Sequence, residues 1–219
     1  MKNILTTLFI VFFSVGSLAD IFDDIESAVN KMNIGALEQF NEGKTYRAAY
    51  AHYRLAFLYN FLGEKKKAKR PLENVISLLD GKDDSESLIL KASAHGLQIG
   101  LSPIKAVFLG SKIDDALEAA AQKTPDNPRL LMTKAVNAFN TPSLFGGNNE
   151  RALSLINKAE NAFALPCDQV CWGKAENQIW KALILQEMKG QDAYIAALEA
   201  SLRIDPENIW ARQLIDAAK

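Results

Sequence analysis

The sequence predicts an all-α fold, a solenoid of antiparallel helix pairs forming one elongated domain. Three observations carry this. Apolar residues recur at helical spacing from about residue 21 to the end, and no stretch shows the strict alternation of a half-buried strand. Seven Pro and 12 Gly in 219 residues are too few for a turn-rich all-β chain. A small/large pattern over residues 49–82 returns, less regularly, three further times, which is the mark of a repeat architecture.

The elements follow in chain order. Met1-Lys2-Asn3 is a positive start, Ile4 to Val15 is almost wholly apolar, and Ser17 and Ala19 are small residues at the positions a signal peptidase reads. Residues 1–19 therefore read as a secretory signal cleaved after Ala19. The apolar run of about a dozen residues falls short of the roughly 20 needed to span a bilayer. Removing it takes away Lys2 and no acid, so 24 bases and 26 acids remain in residues 20–219, read as a single domain. Residues 21–32 predict a helix covering the start of the solenoid, and Glu207 to Lys219 one covering its end, because a terminal repeat otherwise exposes its stacking face.

The clearest unit is residues 49–82. Counted from 49, Leu55, Ala56, Tyr59, Gly63, Ala68, Leu72 and Val75 fall at positions 7, 8, 11, 15, 20, 24 and 27. Small residues at 8 and 20 let two helices approach, bulky ones at 7, 11 and 24 fill the gaps, and Gly63 makes the turn. Pro71 inside the second helix is expected to kink or delay it. The helix at 85–99 and the segment Leu101 to Gly110 form an expanded, irregular unit. Ala116, Leu117, Ala120 and Thr124 to Pro128 make a junction. Leu131, Ala135 and Ala138 begin a helix whose partner, Ala152 to Ala159, follows an enlarged turn from Asn140 to Asn149. Ala182, Leu185, Leu198 and Leu202 to Asn208 close the series.

These residues resemble the tetratricopeptide repeat (TPR), a 34-residue helix–turn–helix unit, over most of residues 36–219. His52 stands where that family often has Trp. The resemblance implies a right-handed superhelix with irregular middle repeats, and a concave face lined by the first helix of each pair. On that face the first repeat places Tyr50, Tyr53, Phe57 and Asn60, with Tyr46 one turn earlier. Later repeats offer Lys91 and Arg129 at comparable positions. Tyr gives a large rigid contact area and a hydroxyl, which suits recognition, whereas simple packing of the rings against the N-terminal helix is the other use. Some members of the family hold a C-terminal carboxylate with Asn, Lys and Arg. Only Lys91 and Arg129 match here, so that activity is not carried over.

Cys167 and Cys171 are expected to pair as a disulfide in an oxidising compartment, pinning the connection before the next helix. Their x3 spacing differs from the x2 of thioredoxin-like redox sites, and two thiols alone do not make a metal site. The Thr141-to-Asn148 turn, with Gly146 and Gly147, reads as a fixed shape carrying an inserted apolar side chain. Periplasmic TPR-like proteins that partner solute-binding proteins of tripartite transporters have a similar enlarged Gly-Gly turn. Lys65 to Arg70, the one dense basic cluster, reads as a solvated helix start compensated by acids downstream. Contact with anionic lipid or an acidic partner is its alternative.

Charge balance argues against nucleic acid as partner. His52 falls on a packing position and His95 near a helix end, neither with a nucleophile at a recognisable spacing. Asp23-Asp24 and Asp114-Asp115, adjacent on helices, point in different directions. No cofactor or metal is expected. The sequence therefore predicts a non-catalytic periplasmic or secreted scaffold that binds a protein or peptide partner in the cell envelope. The alternative is an accessory of periplasmic solute uptake.

Overall fold

Helix follows helix in adjacent antiparallel pairs. The structure, a computed structural model, describes residues 18–167 and 169–218, with side chains from residue 21. The secretory signal read at residues 1–19 lies outside these, apart from Leu18 and Ala19 at the head of the first helix. Eleven α-helices run in order among the described residues, without a strand. They are α1 (Leu18–Asn30), α2 (Ile34–Gln39), α3 (Tyr46–Phe61), α4 (Lys65–Leu78), α5 (Ser85–Leu101), α6 (Ala106–Lys123), α7 (Pro128–Asn140), α8 (Asn149–Phe163), α9 (Lys174–Lys189), α10 (Gln191–Ile204) and α11 (Ile209–Ala217). The pairs α3/α4, α5/α6, α7/α8 and α9/α10 are the four repeats, α1 and α2 precede them, and α11 caps the last.

Local chemistry sets the ends. Thr45, Asp84, Asn127, Asn148 and Asn208 each accept a hydrogen bond from a backbone N–H in the first turn of the helix that follows, satisfying a donor with no partner inside the helix. Pro128 opens α7, where its missing N–H costs nothing. In the first repeat Ala56, Ala68, Leu72 and Val75 are fully buried and Leu55 nearly so. Small residues let α3 and α4 close on each other while the larger ones fill the seam. Pro71 does not delay α4, which begins at Lys65 and continues through it. Its position, buried in the core, falls in the second turn of the helix.

The middle of the chain is more regular than its sequence. Residues 85–123 form a hairpin of helices with 17 and 18 residues, joined by a single 3₁₀ turn at Pro103–Lys105. The enlarged turn before α8 contains a second 3₁₀ turn, Ser143–Phe145. It is fixed in shape but inserts no side chain: Leu144 is 86% exposed and Phe145 75%. What fixes it is backbone packing at Gly147, where a Cβ would lie 1.6 Å from the carbonyl oxygen of Thr141. Gly147→Ala is therefore expected to disrupt the α7/α8 connection, lowering the melting temperature by several degrees. Gly146→Ala serves as the comparison: its Cβ meets nothing, but its φ of 93° strains any side chain. Thermal denaturation followed by circular dichroism measures both.

Cys167 and Cys171 are bonded, their Cα atoms 5.6 Å apart. So small a loop restricts the unfolded chain little, and the chain-entropy estimate is about 2 kcal/mol. The bond stiffens the bend that delivers Trp172 to the interior.

Candidate functional site

The stripe predicted on the first repeat lies on the inner side of α3, and other parts of the chain lie over it. Tyr50 is buried, while Tyr46, Tyr53, Phe57 and Asn60 are half-buried. From α1, Phe22 packs edge-on against Tyr50 and Tyr46, at centroid distances of 5.4 and 6.2 Å. From the last third of the chain, Trp172 stacks on Tyr50 at 5.0 Å and donates its indole N–H to the Tyr46 hydroxyl at 2.9 Å. Phe57 meets Trp210 of α11 at 5.7 Å. Burial raises the Tyr46 and Tyr50 hydroxyls well above the usual phenol range, with nearby carboxylates adding to it. Both are neutral donors and acceptors throughout the physiological range.

Arg129 is likewise inside. Its guanidinium makes two hydrogen bonds to the Glu86 carboxylate, one of them from Nε at 2.8 Å, and it lies 5.9 Å from the Trp172 ring. Tyr46, Glu86, Arg129 and Trp172 stand at or beside the N-terminal ends of α3, α5, α7 and α9. One end of all four inner helices thus converges on a single polar and aromatic cluster. Lys91 is half-buried on α5, apart from it.

The charges that matter most were not on the predicted stripe. Arg54, 4% exposed, binds Glu26 of α1 at 2.7 Å and faces Glu176 of α9 at 3.6 Å, with its carbon 4.6 Å from the Phe57 centroid. Tyr50 also donates to Glu26. Burial alone would lower the Arg54 pKa, but Glu26, Tyr50 and Glu176 more than reverse this and hold it charged. Glu176 is pushed up by burial, opposed by Arg54 and reinforced by Glu26. Because its folded value exceeds its ordinary value of 4.5, Glu176 favours the folded state below that pH. This contribution is lost as pH rises through the raised value. Glu176→Gln should therefore look better relative to wild type at pH 7 than at pH 4 in paired urea titrations.

The first helix and the turn before the last helix meet beside this cluster. The Asn30 side-chain amide, at the end of α1, donates from Nδ2 to Asp205 at 2.8 Å, and its Oδ1 accepts from the Ile209 backbone N–H at 3.4 Å. Between α1, α3, the start of α9 and the 205–210 turn a cavity of about 400 Å³ remains. Phe57, Trp172 and Trp210 supply its aromatic wall and Arg54 its buried cation. The Arg54 Nε finds no acceptor among the described residues. Five acids line the cavity (Asp23, Glu26, Glu176, Asp205 and Glu207) against two bases, Arg54 and Lys174. Neither His52 nor His95 borders it, and no group of acids, His and Cys suited to a metal ion occurs among the described residues.

Stacked helix pairs with a lined inner face define this as an all-α helical-repeat protein with the TPR-like fold. Among solved structures, the HusA haemophore from Porphyromonas gingivalis superposes with a TM-score of 0.62 at 21% identity, over 81% of this chain and 98% of that one. A thermophilic TPR protein from Thermus thermophilus gives 0.51 at 14% identity, over 90% and 91% of the two chains. No protein-family model and no curated protein matches the sequence. At these identities the likeness is one of fold.

Proposed function

We propose that this chain is a non-catalytic, exported scaffold of the cell envelope, a single TPR-like domain from residue 20 onward. It holds a basic segment of a protein or peptide partner at its inner face. The observation that carries this is the cavity where the first and last repeats meet. Its lining has three more acids than bases, and its aromatic wall suits an ammonium or guanidinium group. Of the residues read from sequence, Phe57 forms part of that wall, and Tyr46, Tyr50 and Tyr53 back it. In this reading Lys91, Asn60 and Arg129 extend the contact along the inner helices. The disulfide supports export, since such bonds persist in oxidising compartments.

Trp172 and Trp210 line the cavity, so their fluorescence reports occupancy. Titration with an Arg/Lys-rich peptide should change it, and Asp23→Lys/Glu207→Lys, at the exposed mouth, should weaken binding at least about tenfold. No response of the wild type, or equal affinity of the variant, would overturn the reading.

A second reading, an accessory of solute uptake, draws on the likeness to a haemophore and on a cavity volume within the small-ligand range. Haemin titration separates the two. A saturable Soret shift competed by the basic peptide would favour the carrier, and an unchanged spectrum the scaffold.

A further inference from the structure

We propose that the edge of the solenoid formed by the turns within its repeats docks onto an anionic phospholipid surface. The inner helices stack in the order α3, α5, α7, α9, each antiparallel to its partner. The turns α3/α4, α5/α6 and α7/α8 therefore lie along one edge, opposite the end where Tyr46, Glu86, Arg129 and Trp172 converge. Ser85 pairs with Thr124 at that converging end, so the hairpin of α5 and α6 is in register there. Its extra length emerges on the other side. α5 is four residues longer than α7, about 6 Å, so its turn projects past its neighbour.

What stands on this edge is apolar and basic. Ile104, Val107 and Phe108 on the projecting turn are 71–73% exposed, and Leu144 and Phe145 on the next turn more so. Single exposed apolar residues need no explanation, but a row of them does. Lys105 sits between Ile104 and Val107. On the preceding repeat, Lys65, Lys66, Lys69 and Arg70 open α4 beside the α3/α4 turn, all exposed, while Lys67 is taken by Glu64 at 2.6 Å. Two features left over by the inner face, the basic run and the enlarged Gly-Gly turn, thus fall on the same side of the molecule.

The combination matches a lipid headgroup layer better than a protein. Protein interfaces are depleted of Lys, and their anchors fill pockets. Here the apolar groups project from turns, and Lys predominates among the charges. Side chains at turn tips reach the boundary between headgroups and acyl chains, and each Lys or Arg near an anionic surface adds about 1 kcal/mol of attraction. No helix among the described residues is long and apolar enough to cross a membrane, so this contact is peripheral.

The test is co-sedimentation with phosphatidylcholine vesicles with and without phosphatidylglycerol. The protein is taken as isolated from the cell, with the same N-terminus in every variant, so that residues 4–15 contribute equally. Wild type should bind the anionic vesicles, release at high salt, and bind the zwitterionic ones weakly. Val107→Ser/Phe108→Ser and Lys65→Glu/Lys66→Glu should each lose at least about tenfold in partitioning with unchanged melting temperatures, since all four positions are exposed. Equal binding to both vesicle types, unaffected variants or no binding would overturn the proposal. So would a dimer in gel filtration that Val107→Ser/Phe108→Ser abolishes, which would assign the edge to self-association. Cavity binding of the basic peptide is read separately and is unaffected by either result.

Discussion

Trp172→Ala is expected to lower the unfolding free energy by about 3–5 kcal/mol, the range for truncating a buried large aromatic. The ring is 3% exposed and touches two inner helices at once, α3 and α7. It stacks on Tyr50, donates to Tyr46 and lies beside Arg129. Its loss opens a void where the inner helix ends converge and leaves the buried Tyr46 hydroxyl without a donor. Trp172→Phe separates these effects: most of the packing returns, and the remaining deficit, about 1 kcal/mol, is the missing hydrogen bond. Urea denaturation read by circular dichroism, which does not depend on the deleted fluorophore, measures both. A loss below about 1 kcal/mol for Trp172→Ala would show that the first and last repeats are not joined through this ring.

Arg54→Met should cost a similar amount at pH 7, about 3–5 kcal/mol, but for a different reason and with a different pH profile. Removing one member of a buried ionic cluster strands the charges it compensated. Here Glu26 and Glu176 are left facing each other in a site that already pushes Glu176 up. In the variant Glu176 loses the cation that opposes its upward shift and gains a proton more readily, so the deficit should shrink as pH falls from 7. A deficit that stays constant between pH 7 and pH 4 would identify lost packing against Phe57, not lost charge, as the cause. Because Arg54, Glu26 and Tyr50 share one network, variants there should not add, and a double-mutant cycle of Arg54 and Glu26 should show coupling.

The difference between what was legible in the sequence and what was not follows the range of the interactions. Leu55, Ala56, Gly63, Ala68, Leu72 and Val75 disclose a helix pair because neighbours on adjacent helices recur at fixed short spacings. Pro71 does not delay α4, because the buried face formed by Ala68, Leu72 and Val75 carries the helix through it. The expanded middle unit looked irregular because Ile104 in its turn and Val107 and Phe108 at the head of α6 are apolar, where exposed positions are ordinarily polar. The aromatic stripe was visible at spacings of three and four, but what lies over it was not. Tyr46 meets a tryptophan 126 positions later, and Asn30 an aspartate 175 positions later. No local pattern connects such residues. One signal was present: Trp172 directly follows a cysteine pair, and a braced bend ending in a large aromatic points to an anchored ring. Glu26 and Arg54 carried none.

The meeting of Asn30 with the Asp205–Ile209 turn changes how the molecule comes apart. An open array of repeats melts progressively, because a terminal unit has one neighbour and frays at little cost to the rest. Here the leading helix and the final turn are each other's second neighbour, so neither end is a free end. Loosening the first helix also removes support from the last repeat. The four repeats should consequently be lost in one concerted step, with probes at the two termini and in the middle of the chain reporting the same midpoint.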